Sequence, residues 1–375
     1  MPEGTHDVKI FDTCVIGVGG VVGSAIVREL SRRGLTVLGL EKHDGPAQET
    51  SGLNSRVIHS GFHEAPGTLK ARLAFHGSRM LIDYAARNGI PLLKTGMLIA
   101  IPRQAMRSGL WREVGSLWQL WRSGRTHHIE FRWILSSAGV RRIAPIDAAG
   151  GIFIPSVCVA DVMQFIKSLQ RESIQLGAEL NYSCAATAID KGREHYRITT
   201  NRGDFSARNL INSAGLSAAS ISRMAGGPDY SVEYFRGEYY ELRGGIDRWG
   251  IRTLVYPAMP SGSRSKGIHF GPRTDGRLFI GPDSANVESP PTPKSVFLDA
   301  ARRFIPSVSD DDLEYSCAGV RPKCGSDFVI RVEGSPPLIN LVGIDSPGLS
   351  ASMAIGEHVA QLLVAAVDDR RPRIA

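Results

Sequence analysis

Three glycines and an acid open the chemical reading of this chain. Gly17, Gly19 and Gly23 interrupt the run DTCVIGVGGVVGSAIVRELSRRGLTVLGLEK, which starts at Asp12 and closes on Glu41 and Lys42. A dinucleotide's pyrophosphate needs uncovered backbone N–H groups at a helix start, and glycines supply them without side chains in the way. A carboxylate at the tip of the following strand accepts hydrogen bonds from both ribose hydroxyls of an adenosine and disfavours a 2′-phosphate. The spacing is GxGxxxG, one residue longer than the usual fingerprint, and Gly20 is placed to absorb the difference. His59 and His63 stand four apart, a spacing that makes a metal pair on a helix, but Gly61 lies between them and no third ligand is apparent, so no metal site is expected. The five cysteines, Cys14, Cys158, Cys184, Cys317 and Cys324, contain no CxxC pair and read as incidental thiols.

The elements that must hold these residues follow from periodicity. An apolar strand, a glycine turn, a helix with apolar residues at helical spacing and a second apolar strand make the run from Asp12 a βαβ unit. DVMQFIKSLQRESIQLGAEL predicts a helix ending at Gly177, with strands near 181–190 and 195–200, and the chain after Pro228 is strand-rich. Near the end, LINLVG predicts a strand, DSPG a turn and LSASMAIGEHVAQLLVAA a helix.

The glycine unit does not separate FAD from NAD, which share an ADP half. Residues 50–73, TSGLNSRVIHSGFHEAPGTLKARL, carry small polar residues where an NAD enzyme would run into another βαβ unit. With NLINSAGLSA at 209–218, YFRGEYYEL at 234–242, LVYP at 254–257, GIHFGPRTDGRLFIGP at 267–282, AGVRPK at 318–323 and LINLVGIDSPGLSASMAIGEHVAQLL at 338–363, the chain resembles the D-amino-acid-oxidase superfamily of flavoproteins, and within it the L-2-hydroxyglutarate dehydrogenase or oxidase branch. The resemblance implies an α/β fold, α+β overall: a Rossmann-like FAD-binding domain built from 1–80, 150–220 and 315–375, with a discontinuous, strand-rich substrate domain from 81–149 and 221–314. It implies FAD as cofactor, contacted by Gly17, Gly19, Gly20, Gly23, Glu41, Lys42, Ser51, Asn54, Ser55, Val57, Ala186, Ala214, Gly215, Gly319, Ser346, Pro347, Gly348, Leu349 and Ser350. The helix that begins near Gly348 would turn its positive end toward the charge that builds on a reduced flavin.

For the reaction, the resemblance implies oxidation of a small anionic 2-hydroxy acid, L-2-hydroxyglutarate-like, by hydride transfer to flavin N5. His59, in VIHSG, matches the family histidine near the flavin ring and is the expected base, since imidazole titrates close to working pH; in some members a histidine is the covalent flavin link instead. Arg321 and Lys323 of AGVRPK are expected to hold the substrate carboxylate, the arginine through two parallel hydrogen bonds. Tyr239 joins them as a catalytic candidate; with Tyr240 and His269 it lies in a segment that alternates like a strand, so that one side chain faces the pocket while its neighbour packs elsewhere. The chain departs from the family at Leu53 and Arg56, where an arginine and a glycine are usual, and at His63 and Glu64, where two tyrosines are common. Those changes bear on substrate identity, leaving an amine or amino-acid oxidase, or a tailoring oxidase acting on a larger metabolite, as alternatives in the same fold. An NAD-dependent dehydrogenase and a non-catalytic, membrane-attached flavoprotein are the readings from other classes.

Composition bounds the partners. The 375 residues and 42% hydrophobic content can bury two packed domains. The net charge of +7 suits an anionic partner, but the basic residues read as scattered, and nucleic-acid binding is not expected. No apolar run is read as long enough to cross a bilayer and the start lacks a signal peptide's apolar stretch, so a cytoplasmic protein is expected, with oxygen or a quinone as electron acceptor. Four of the five tryptophans fall in MRSGLWREVGSLWQLWRSGRTHHIEFRW, where Leu110, Val114, Leu117, Trp118 and Trp121 are expected to share a helical face. That face either packs on the substrate domain or, through residues 106–123, touches a membrane surface.

Overall fold

Strands made almost wholly of apolar residues can be covered on both faces, and Val37–Leu40 and Leu338–Val342 are buried at every residue, the one polar side chain, Asn340, being hydrogen-bonded to Asn212 and Ser222. Both belong to the parallel core of one sheet in the computed structural model, which describes residues 9–107, 111–125, 129–259 and 267–368. The chain divides into two compact units, Met1–Ser51 with Val162–Glu233 and Arg321–Ala375, and Gly52–Asp161 with Tyr234–Val320. The division falls at Ser51 rather than near residue 80, because Val57–Ile58 pairs with Cys158–Ala160, a strand of the second unit. Asn54, Ser55, Val57 and Gly319, expected in the cofactor domain, therefore lie in the second unit.

In the first unit, Ile10–Ile16 runs parallel to Val37–Leu40 on one side and to Gly203–Asn212 on the other. Glu179–Asn181 extends the sheet beyond Val37–Leu40, and Leu338–Val342 lies parallel to Gly203–Asn212. The helix Val21–Arg32 packs against Val162–Gln175 and the final helix Gly348–Asp368. Gly356 permits the closest approach there: a Cβ at that position would stand 2.8 Å from the carbonyl oxygen of Ala25. By length and a mean hydropathy of 1.3 the final helix could cross a membrane, contrary to the expectation that no segment would, yet 56% of that stretch is buried in the structure.

The second unit is built on a sheet of nine strands among the described residues, in the order Ala285–Asn286, Glu233–Leu242, Leu278–Gly281, His269–Pro272, Leu254–Pro257, Met97–Pro102, Ala148–Ile154, Arg132–Ile134, with Leu313–Lys323 also paired to Glu233–Leu242. Strand alternation divides its side chains between two faces. Leu98, Tyr240, Leu242, Val255, Phe270, Leu278 and Ile280 join Phe297, Leu298 and Phe304 in one core. Met97, Ile99, Tyr239, Leu254, Tyr256 and Phe279 point the other way, into a second core with Val57, Phe62 and Val159. The helix Trp111–Arg125 does not present the expected single stripe. Leu117 is buried and Trp121 packs on that second core, whereas Val114 and Trp118 are exposed; Leu110 lies outside the described residues.

Candidate active site

The nucleotide cradle is assembled in the first unit by the turn between Ile10–Ile16 and Val21–Arg32. Gly17 adopts φ 94°, and a Cβ on it would lie 2.5 Å from the carbonyl oxygen of Ser213. Gly23 is required by proximity: its Cβ would fall 2.3 Å from the carbonyl oxygen of Gly17, so any side chain would push the helix off the turn. A Cβ at Gly20, the N-cap of the helix, would make ordinary van der Waals contact with the Gly17 carbonyl oxygen at 3.5 Å and Ser51 Oγ at 3.6 Å. The turn is held from behind, where Ser24 Oγ and Gln170 Nε2 both donate to the carbonyl of Val18, at 2.7 and 2.9 Å. Ser51 Oγ accepts the Val21 N–H at 3.1 Å.

Glu41 sits at the tip of its strand, 7% exposed, accepting the Gly19 N–H at 2.8 Å and the His43 N–H at 3.0 Å. Each oxygen keeps a further lone pair for a ribose hydroxyl. Lys42 pairs with Glu49 at 2.7 Å and reaches Ser217 Oγ at 3.3 Å. Burial opposes ionisation of Glu49, but hydrogen bonds and charge from Lys42 and His43 outweigh it and hold its carboxyl below the usual range. Ala214 follows Ser213 against Gly17, Gly215 has φ 54°, and Ala186 opens the strand Ala186–Lys191. Pro347, Gly348 and Ser350 are buried at the start of the final helix, Leu349 is half-buried and Ser346 exposed. Arg321 is half-buried and Lys323 exposed in the same unit. A turn packed too tightly for side chains at Gly17 and Gly23, at the start of a helix and beside a carboxylate, fits the ADP half of a dinucleotide.

The second unit gathers a different chemistry. Along one row of its sheet stand Tyr239, Gly281, His269 and Tyr256; His269 pairs with Gly281, where a Cβ would stand 2.5 Å from the Glu238 carbonyl oxygen and 3.2 Å from Tyr239, so only glycine lets the strands lie this close. Tyr256 and His269 stack with ring centroids 3.8 Å apart. His59 meets Tyr256 edge-on at 6.2 Å and His63 at 5.9 Å, while Phe62 packs on His63 at 4.0 Å. His59 is 7% exposed, and the hydroxyl of Tyr256 is buried with no hydrogen-bond partner among the described residues. Burial, and then the neighbouring Tyr239, push that phenol well above its ordinary pKa, so it remains a neutral donor. Among the described residues no group of His, Cys, Asp and Glu could hold a metal ion.

Sequence reasoning named Tyr239, Tyr240 and His269 without deciding which faced the pocket. The alternation turns Tyr239 and His269 to the imidazole face, while Tyr240 packs on Phe297. It missed Tyr256, although the parity of LVYP beside HFGP carried the signal. Gly319 has a local reason to be glycine, since a Cβ there would strike the carbonyl oxygen of Leu53. Asn54 Oδ1 accepts the Arg56 N–H at 2.7 Å, Ser55 is half-buried between them, and Val57 is buried against Val159.

The signature of the family described as FAD dependent oxidoreductase (DAO) matches residues 12–362. The chain is 30% identical to the mitochondrial L-2-hydroxyglutarate dehydrogenase of Arabidopsis thaliana, with 93% of this chain and 82% of that protein covered. It is 28% identical to the glycerol 3-phosphate oxidase of Mycoplasma pneumoniae, with 94% of each covered. Among solved structures it is similar to an L-alpha-glycerophosphate oxidase from Mycoplasma pneumoniae with FAD bound, at a TM-score of 0.85 and 25% identity over 95% of each chain.

Proposed function

The chain belongs to the FAD dependent oxidoreductase family, and from that premise we propose that it oxidises a small anionic 2-hydroxy acid of the L-2-hydroxyglutarate kind to the 2-oxo acid. FAD is its cofactor and supplies the two-electron acceptor. His59 takes the hydroxyl proton as the hydrogen on the same carbon leaves as hydride. Tyr256 donates its buried O–H to a substrate oxygen, and His269 fixes the phenol ring by stacking on it. Arg321 and Lys323 are assigned to the carboxylate on the strength of the resemblance. The observation that carries this reading is the buried phenol hydroxyl set among imidazoles on one sheet face, a group that an anionic or hydroxyl-bearing ligand would satisfy.

Anaerobic mixing with L-2-hydroxyglutarate, glycerol 3-phosphate and a panel of amino acids, followed by bleaching of the visible flavin band, tests it. Bleaching by the hydroxy acid is expected, and His59→Ala should slow it by roughly 10²–10⁴-fold. Fast bleaching by an amino acid alone would replace the substrate reading, and an unslowed His59→Ala would remove the base. The reading takes oxygen or a quinone as acceptor and keeps the protein in the cytoplasm, touching a membrane through the helix Trp111–Arg125. There Val114 and Trp118 are exposed four residues apart and the Arg122 guanidinium lies 5.6 Å from the Trp118 ring. Flotation with anionic phospholipid vesicles checks that contact, and protein left wholly unbound at low salt removes it.

A further inference from the structure

The face of the sheet that carries Tyr256 and His269 also carries an unusual set of guanidinium groups. Arg273 follows the strand His269–Pro272, four residues after His269, and is 4% exposed. Its guanidinium carbon lies 5.8 Å from the centre of the Phe279 ring, the same ring that His269 meets edge-on at 5.7 Å. Arg273 Nη1 is 3.3 Å from Glu241, a carboxylate that also takes Arg277 Nη1 at 2.9 Å and Ser316 Oγ at 2.8 Å. Its Nε is buried with no hydrogen-bond acceptor among the described residues. An arginine has five N–H donors, and a buried guanidinium held by one long contact to a shared carboxylate is poorly compensated.

Arg56 brings a second guanidinium whose charge acts on that of Arg273. Its φ is 60°, in the left-handed region that arginine rarely adopts and that persists where the surroundings impose it. Burial first, and then the like charge of Arg273, lower its guanidinium pKa, with Asp275 and Asp161 acting the other way. Asp275 is itself engaged by Arg277, through Nη2 at 2.7 Å and Nε at 3.0 Å.

We infer that Arg273 and Arg56 form an anion subsite for the second negatively charged group of the substrate, the carboxylate or phosphate remote from the carbon that is oxidised. The Phe279 ring stands between the two groups, 5.7 Å from the His269 imidazole and 5.8 Å from the Arg273 guanidinium, so the subsite selects substrates charged at both ends. The subsite rests on the proposed oxidation of a small anionic hydroxy substrate and names its second recognition element.

The test uses the FAD-loaded protein, Arg56→Asn, which tolerates a left-handed φ, and Arg273→Gln. Turnover of L-2-hydroxyglutarate is compared with that of 2-hydroxybutyrate, which lacks the second carboxylate, and thermal protection by glutarate is measured without turnover. Each variant should lower kcat/KM for the diacid by about 10²-fold, mainly through KM, cost the monoacid far less, and lose protection by glutarate. Equal losses for both acids, or undiminished protection by glutarate in Arg56→Asn, would overturn the subsite. If Arg273→Gln does not fold, Arg56→Asn decides. If the unsubstituted enzyme bleaches with no hydroxy substrate, the functional reading fails, and glutarate protection still decides the subsite.

Discussion

Removing a single oxygen atom, in Tyr256→Phe, separates structure from recognition. The hydroxyl of Tyr256 is buried without a partner, whereas its ring stacks on His269 at 3.8 Å and packs with Leu254 and Phe279. An unsatisfied buried hydroxyl costs about 1–3 kcal/mol, and phenylalanine keeps the ring and loses that cost. The substrate-free holoenzyme should therefore gain about 1 kcal/mol, a rise in Tm of roughly 2–4 °C for a unit of this size. With substrate the sign reverses, because a hydrogen bond to a charged oxygen is worth about 1.5–3 kcal/mol, which predicts a loss of about 10- to 10²-fold in kcat/KM. Thermal unfolding followed by flavin fluorescence, with and without glutarate, and steady-state turnover measure the two effects. A variant that unfolds several degrees lower and keeps its kcat/KM would show that the hydroxyl serves packing and not recognition.

Gly23→Ala brings a methyl to 2.3 Å from the Gly17 carbonyl oxygen, and because that neighbour is backbone the turn must open; retained FAD should fall sharply, with a stability loss of about 1–3 kcal/mol, read by flavin content and urea unfolding. Glu49 has its folded pKa lowered, mainly by Lys42 and His43 working against burial. Its contribution to stability is therefore complete above the ordinary carboxylate range and is lost as pH falls through the depressed folded value. Glu49→Gln should flatten the acid limb of urea stability below that range while leaving neutral pH little changed, and an unaltered limb would dismiss the Lys42–Glu49 pair as a contributor.

Local rules carried the nucleotide cradle a long way. Gly17, Gly23 and Glu41 could be read from sequence because a βαβ turn is made by residues close together in the chain, and its φ and Cβ demands are written in glycine positions. The final strand and helix were legible for the same reason, through apolar period and a Pro-Gly turn. Sequence left undecided which of two adjacent tyrosines faces the imidazoles, since alternation gives two faces but not the one that packs on the core; the pairing of Tyr240 with Ile280 and its contact with Phe297 settle that.

The division of the chain after Ser51, the tie from Gln170 to the Val18 carbonyl and the gathering of His59, Tyr256 and His269 all join residues distant in the chain. The +7 charge read as scattered, yet the fold draws Arg273 and Arg277 onto the one carboxylate of Glu241. By itself the sequence determined the strand, turn and helix of the first βαβ unit and of the last strand and helix, and that the glycine turn accepts a dinucleotide. The tertiary structure decided which side chains share a face, because strand register is fixed by burial across the whole sheet rather than by any one strand's residues.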